Sequence, residues 1–130
     1  MIQFNVPGTP APQGSKTARV INGKAIIFEA NAGLKAWRER VKTAGELATL
    51  EHGQLQGPVE AVLLFTLAKP KTVKRDWPSV KPDLDKLIRG TLDGLTKSGI
   101  YVDDAQVVAI SATKIYGNEP GCHITLEGVY

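Results

Sequence analysis

The run Val59-Glu60-Ala61-Val62-Leu63-Leu64-Phe65-Thr66-Leu67-Ala68 most constrains how this chain can fold. It is rich in strand formers and reads as a core strand. A core strand needs neighbours in a sheet and a layer to cover it. Both are on offer. Residues 2–6 (Ile2-Gln3-Phe4-Asn5-Val6) alternate apolar and polar, as a half-buried strand does. Residues 106–115 and 122–129 read as two more strands, joined through Gly117, Asn118, Glu119, Pro120 and Gly121. Arg19-Val20-Ile21 and Lys24-Ala25-Ile26-Ile27-Phe28 flank Asn22-Gly23, the pair that suits a type I′ hairpin turn because both residues tolerate positive φ.

Two stretches carry helical spacing. In residues 31–50, Leu34, Trp37, Val41, Ala44 and Ala48 form one apolar stripe, Asn31 is the expected N-cap, and Gly45 weakens the pattern. In residues 84–97, Leu84, Leu87, Ile88, Thr91 and Leu95 share a side, and Gly99 supplies a stop. A loop broken by Pro7, Gly8, Pro10, Pro12 and Gly14 and a connection over 69–82 with three prolines complete the chain. The expected architecture is a single α+β domain over residues 1–130, with a mainly antiparallel mixed sheet and two main helices.

At 130 residues the chain has room for one core, not two. No stretch reaches the roughly 18–20 apolar residues of a membrane span. No secretory signal is visible. Cys122 is alone, which excludes an intramolecular disulfide and makes the cytoplasm the expected setting. His52 and His123 lack metal-ligand spacing, and His123 alternates with apolar neighbours toward solvent. Gly14-Ser15-Lys16 lacks the remainder of a P-loop.

Charge is unevenly spread. Residues 1–50 carry seven Lys and Arg against three acids, and residues 69–89 again seven against three. Residues 90–130 reverse the balance, two against five. Two basic regions around a carboxylate cluster suit a polyanion held about a cation, and equally a pair of solvated faces. Lys35, Arg38 and Lys42 form a basic stripe on the first helix, read as solvated.

The candidate chemistry lies in Lys81-Pro82-Asp83-Leu84-Asp85-Lys86-Leu87-Ile88-Arg89 and Val102-Asp103-Asp104-Ala105-Gln106. In a continuous helix, residues two apart project about 200° from each other. In extended backbone they point the same way. Pro82 biases Lys81 away from helix, so a helix that starts at Asp83 lets Asp83 and Asp85 converge. Oxygen ligands of this kind suit Mg²⁺. The competing reading makes Asp83 an N-cap, pairs Asp85 with Arg89 and Asp93 with Lys97 along the helix, and makes Asp103-Asp104 a turn.

Pro82-Asp83-Leu84-Asp85, then Leu92-Asp93-Gly94-Leu95, then Asp103-Asp104-Ala105-Gln106-Val107 resemble the RusA family of Holliday junction resolvases. The match is dense over residues 81–108. It extends more loosely to the N-terminal strand, the Pro-rich loop, the hairpin and a helix with Trp37-Arg38. The resemblance implies a RusA-like nuclease domain: a homodimeric, Mg²⁺-dependent endonuclease, with Mn²⁺ as a substitute. It would cut four-way DNA junctions by paired phosphodiester hydrolysis and leave 5′-phosphate and 3′-hydroxyl ends. It implies a bacterial cytoplasmic setting and phage or prophage coding. It carries metal binding and catalysis to Asp83, Asp85 and Asp104; the sequence by itself does not choose Asp104 over Asp103.

Two positions depart from the family pattern. Lys86 stands where Asn is common, and Arg89 where a catalytic Lys is common. Arg keeps the charge and grips phosphate bidentately, but is a poor proton donor. Lys16, Arg19, Lys71, Lys74, Lys81, Lys86 and Arg89 are the expected DNA contacts, with Arg75 similar in kind. Trp77 either stacks on an unpaired base or, the commoner arrangement, covers a local apolar patch. Two rival functions are a branched-DNA-binding module without catalysis and a nuclease for flaps or forks.

Overall fold

The structure is a computed structural model that describes residues 1–14, 17–28 and 33–130, with 17–19 and 25–28 described as backbone. Strand β1 (Ile2–Pro7) is followed by a hairpin, β2 (Thr17–Ile21) and β3 (Lys24–Phe28). Helix α1 (Leu34–His52), strand β4 (Val59–Leu67), helix α2 (Leu84–Ser98) and a 3₁₀ turn (Asp104–Gln106) come next. Strands β5 (Val107–Tyr116) and β6 (Gly121–Gly128) close the chain.

The main sheet has the order β1-β6-β4-β5. Strand β4 is central, as its composition demands, and it alternates. Val59, Ala61, Leu63, Phe65 and Leu67 are buried, while Glu60, Val62 and Leu64 face outward. Each such burial contributes on the order of 1.5–3 kcal/mol for the larger side chains. Strand β6 runs antiparallel to both β1 and β4, with Leu63 opposite Ile124. Strand β5 runs parallel to β4, with Leu63 opposite Ala112. A parallel pair needs a long crossover. Residues 68–106 supply it, and α2 lies within it. The sheet is thus mixed with two antiparallel pairings, in an α+β fold with two helices. The hairpin forms its own two-stranded sheet, with Asn22 at φ 50° and Gly23 at φ 77°, the conformation of a type I′ turn.

The helices pack tightly on each other. Leu34, Trp37, Val41, Gly45 and Ala48 form the buried face of α1, with Ala44 only half-buried. A side chain at Gly45 would collide with Ser98 Oγ, and a Cβ at Gly94 would lie 2.8 Å from Val41 Cβ. These two glycines set how close the helices approach. Trp37 Nε1 donates to Thr91 Oγ1 at 3.1 Å across the same interface.

Several expectations need correction. Gly33, not Asn31, precedes the first turn of α1; Asn31 lies outside the described residues, as does Lys16. Asp93 does not pair along its helix with Lys97. It meets Arg38 of α1 at 3.3 Å, because interhelical packing brings that guanidinium nearer. Asp85 and Arg89 form no ion pair among the described residues. Trp77 is 61% exposed, so most of its ring lies open. His123 is half-exposed as its alternation implied, and its ring nitrogens lie 2.8 Å from Asn5 Oδ1 and 3.2 Å from Gln3 Oε1. Cys122 is buried, and that burial pushes its thiol pKa up to about 12.

Candidate active site and nucleic-acid interface

The start of α2 is built to leave its carboxylates open. Asp83 is the cap residue, in extended backbone with φ −70° and ψ 138°. Its side chain makes no capping hydrogen bond. An N-terminal carboxylate that does not cap remains available to a ligand. Lys86 Nζ stands 3.7 Å from Asp83 Oδ2. Asp85 lies exposed in the first turn, where the helix dipole favours an anion. Arg89 lies exposed one turn further on, on the side of the helix that Asp85 shares.

The backbone before Asp83 is held from the sheet. Lys114 of β5 is half-buried, and its Nζ donates to Val80 O at 2.7 Å and to Pro82 O at 2.8 Å. Sequence reasoning missed this residue. No motif marks it, and only the parallel placement of β5 brings it under the segment that leads into α2.

A cleft of about 680 Å³ opens beside Asp83. The Thr9–Gly14 loop, Ala36, Trp37 and Arg40 of α1, and Lys81, Pro82, Asp83 and Lys86 line it. Among the described residues its lining therefore includes three cations, Arg40, Lys81 and Lys86, and one carboxylate, Asp83. Between two lining residues, Gln13 donates its backbone N–H to Lys86 O at 3.0 Å, and its buried Oε1 has no partner among the described residues.

The two adjacent aspartates have different surroundings. Asp103 caps the 3₁₀ turn, accepting from Ala105 N at 3.2 Å. Gln106 Oε1 reciprocates, accepting from Asp103 N at 3.0 Å and Val102 N at 2.7 Å. The Gln106 amide also donates to Leu55 O and Gly57 O, which ties the turn to the α1–β4 connection. Asp103 is thus committed to local structure. Asp104 is exposed, and its pKa is raised. The hydrogen bond with the Asp103 carboxyl is the main cause, followed by desolvation and the charges of Asp103 and Asp93. Tyr101, beneath this corner, has its hydroxyl pKa raised chiefly by burial.

Among the described residues no three His, Cys, Asp or Glu side chains gather closely enough to hold a metal ion by themselves. Asp83 and Asp85 share one end of α2; Asp104 stands on the turn that α2 contacts. Mg²⁺ usually takes one or two carboxylates and fills its shell with water and substrate phosphate. The all-oxygen donor set, uncapped at Asp83 and Asp85, fits such an ion in kind.

The expected DNA contacts are dispersed. Lys81 and Lys86 line the cleft. Lys71 and Lys74 are exposed in the 68–83 connection. Arg75 Nε donates to Tyr116 Oη at 3.1 Å, and Lys69 Nζ sits 5.8 Å from the same ring. Tyr116 is a further residue that the sequence did not flag. The side chain of Arg19 lies outside the described residues, although β2 is in place. Among the described residues no helix is long and apolar enough to cross a membrane.

The family model described as Endodeoxyribonuclease RusA matches residues 7–127. A crossover junction endodeoxyribonuclease rusA of Lactococcus phage r1t is 28% identical, over 87% of this chain and 86% of its own. An uncharacterized protein, YqaN, of Bacillus subtilis (strain 168) is also 28% identical, over 98% of this chain and 96% of its own.

Proposed function

The chain belongs to the RusA endodeoxyribonuclease family, and on that footing we propose that it resolves four-way DNA junctions as a homodimer, using Mg²⁺. The observation that carries this reading is the start of α2. Two aspartates there are exposed and free of capping duty, beside a cleft rimmed by Arg40, Lys81 and Lys86. An ordinary helix start spends such a carboxylate on its own N–H groups. The name of the phage relative supports the junction as substrate and a phage or prophage origin.

Asp83, Asp85 and Asp104 hold the cation, with Mn²⁺ able to replace it. When bound, the ion supplies Lewis-acid activation of water and stabilisation of the leaving 3′ oxygen. The products bear 5′-phosphate and 3′-hydroxyl ends. Lys81, Lys86 and Arg89 offset the charge of the phosphate in the cleft. Arg89 acts electrostatically, because a guanidinium holds its proton too firmly for acid–base work. Lys71, Lys74, Lys16 and Arg19 contact flanking phosphates. A two-fold dimer presents two such sites to opposed strands. The substrate's location makes the cytoplasm its working place.

The test is cleavage of a labelled four-way junction beside linear duplex of the same sequences, with Mg²⁺, with EDTA, and with Asp104→Asn. The reading predicts paired, metal-dependent nicks in the junction alone, lost in the variant. Equal cutting of flaps or forks would move the substrate assignment. Unchanged cleavage by Asp104→Asn would remove that residue from the ligand set.

A further inference from the structure

Trp77 is one of two tryptophans, and the two have opposite surroundings. Trp37 is 1% exposed within the α1–α2 interface; Trp77 is 61% exposed. Leaving so large an apolar ring in water forgoes a sizeable burial gain, so a partner that covers it is the economical explanation.

The ring stands on an anchored segment. Pro78, next in the chain, is buried. Ser79 N donates to Trp77 O at 2.8 Å, and Val73 N to Pro70 O at 3.1 Å. Arg75 is tied to Tyr116, and the Lys114 ammonium holds Val80 O and Pro82 O. The segment is therefore held to the β5 side of the sheet on both flanks of Trp77. It also ends at Asp83, six residues on.

The charge around the ring selects its partner. Lys71, Lys74, Arg75 and Lys81 lie within six residues of Trp77, four cations against the two acids Asp76 and Asp83. A second copy of this chain would bring the same cations against these and be repelled. A polyanion with flat apolar surfaces fits both properties. Bases inside a duplex are already stacked on both faces. Bases at a branch point expose a face.

We propose that Trp77 stacks on a base exposed at the branch point and is the residue by which this chain prefers branched DNA to duplex. The inference rests on the proposed junction activity and deepens it. The basic side chains bind phosphate in any DNA, whereas the ring has a partner only where stacking is interrupted.

The experiment measures binding of the full-length chain to a four-way junction and to linear duplex in EDTA, so that nothing is cut. Tryptophan emission is read in parallel. Junction binding should quench the emission of Trp77, and Trp77→Phe, which leaves only the buried Trp37, should abolish that quench. Trp77→Ala should weaken junction binding roughly five- to a hundredfold, as loss of one stacked base implies. Duplex binding should change less than about twofold, and Trp77→Phe should restore most of the junction affinity. Equal loss on junction and duplex, absence of a quench, or a change of oligomeric state in Trp77→Ala would overturn the inference; the last would show that a protein surface covers the ring. A wild-type chain that binds the junction with this signature but never cuts it with Mg²⁺ would overturn the catalytic reading and leave the stacking result standing.

Discussion

The two ends of α2 do opposite things with their polar groups. At its C-terminal end polar groups are used up internally. Ser98 Oγ donates to Leu95 O at 2.6 Å, Thr96 Oγ1 to Leu92 O at 2.9 Å, and Tyr101 Oη to Leu92 O at 2.9 Å. Gly99 closes the helix in left-handed backbone, and Leu95 and Ile100 are fully buried. At the N-terminal end Asp83 caps nothing, Asp85 is exposed and unpaired among the described residues, and the preceding carbonyls are held by Lys114. One end is satisfied and stabilises the fold. At the other, Asp83 has Lys86 Nζ at 3.7 Å but no capping bond, and Asp85 stays exposed. The same contrast recurs in miniature at Asp103, committed to its cap, and Asp104, which is not.

Substitutions at the two ends should act on different properties. The largest expected effect is on stability at the closed end. Leu95→Ala should lower unfolding free energy by about 2–5 kcal/mol, measured by urea denaturation, with junction cleavage per folded molecule unchanged. At the open end the effect should fall on activity instead. Asp83→Asn should reduce single-turnover junction cleavage at least about a hundredfold while shifting stability by less than about 0.5 kcal/mol. Equal losses of stability from the two substitutions would erase the distinction.

Lys114 should behave as a positioning residue. Lys114→Met removes the cation that fixes Val80 O and Pro82 O, and should lower cleavage about ten- to a hundredfold while leaving duplex affinity within about twofold. Lys114→Arg should recover part of the rate. A uniform loss of DNA affinity would make Lys114 a phosphate contact instead.

The smallest effect concerns pH. The folded pKa of Asp104 is raised, so the folded chain holds that proton more firmly than the unfolded one. Its contribution to stability is therefore full below the unfolded carboxylate pKa and is lost as pH rises through the raised folded value. Asp103→Asn keeps a capping oxygen and removes the main cause of the shift. It should bring the Asp104 midpoint, followed by carboxyl NMR, back toward the ordinary carboxylate range. An unmoved midpoint would assign the shift to desolvation.

Much of this was legible in the sequence because it depends on local rules. The β4 composition, the helical stripes, Gly99 and the Asn22-Gly23 turn all describe short-range physics, and each element formed within a few residues of its expected span. The extended backbone at Asp83 is that of a helix cap, the position the sequence offered for it. What was not legible is tertiary. The close approach at Gly45 and Gly94, which a helix-propensity reading counts as weakness, depends on where the other helix lies. Asp93 took Arg38 rather than Lys97 for the same reason. Lys114 acts 32 residues from Pro82, and the 61% exposure of Trp77 depends on what the fold places beside it.

On the proposed function, the open end of α2 and Asp104 form one cation site once DNA is bound. The most direct test is a Mn²⁺ titration of the chain on a non-cleavable four-way junction, followed by electron paramagnetic resonance, for the wild type and for Asp83→Asn, Asp85→Asn and Asp104→Asn. The account predicts that each single substitution weakens or abolishes the same bound-Mn²⁺ signal. Full occupancy and unchanged affinity in Asp104→Asn, with loss in the other two, would contradict it by separating Asp104 from the site.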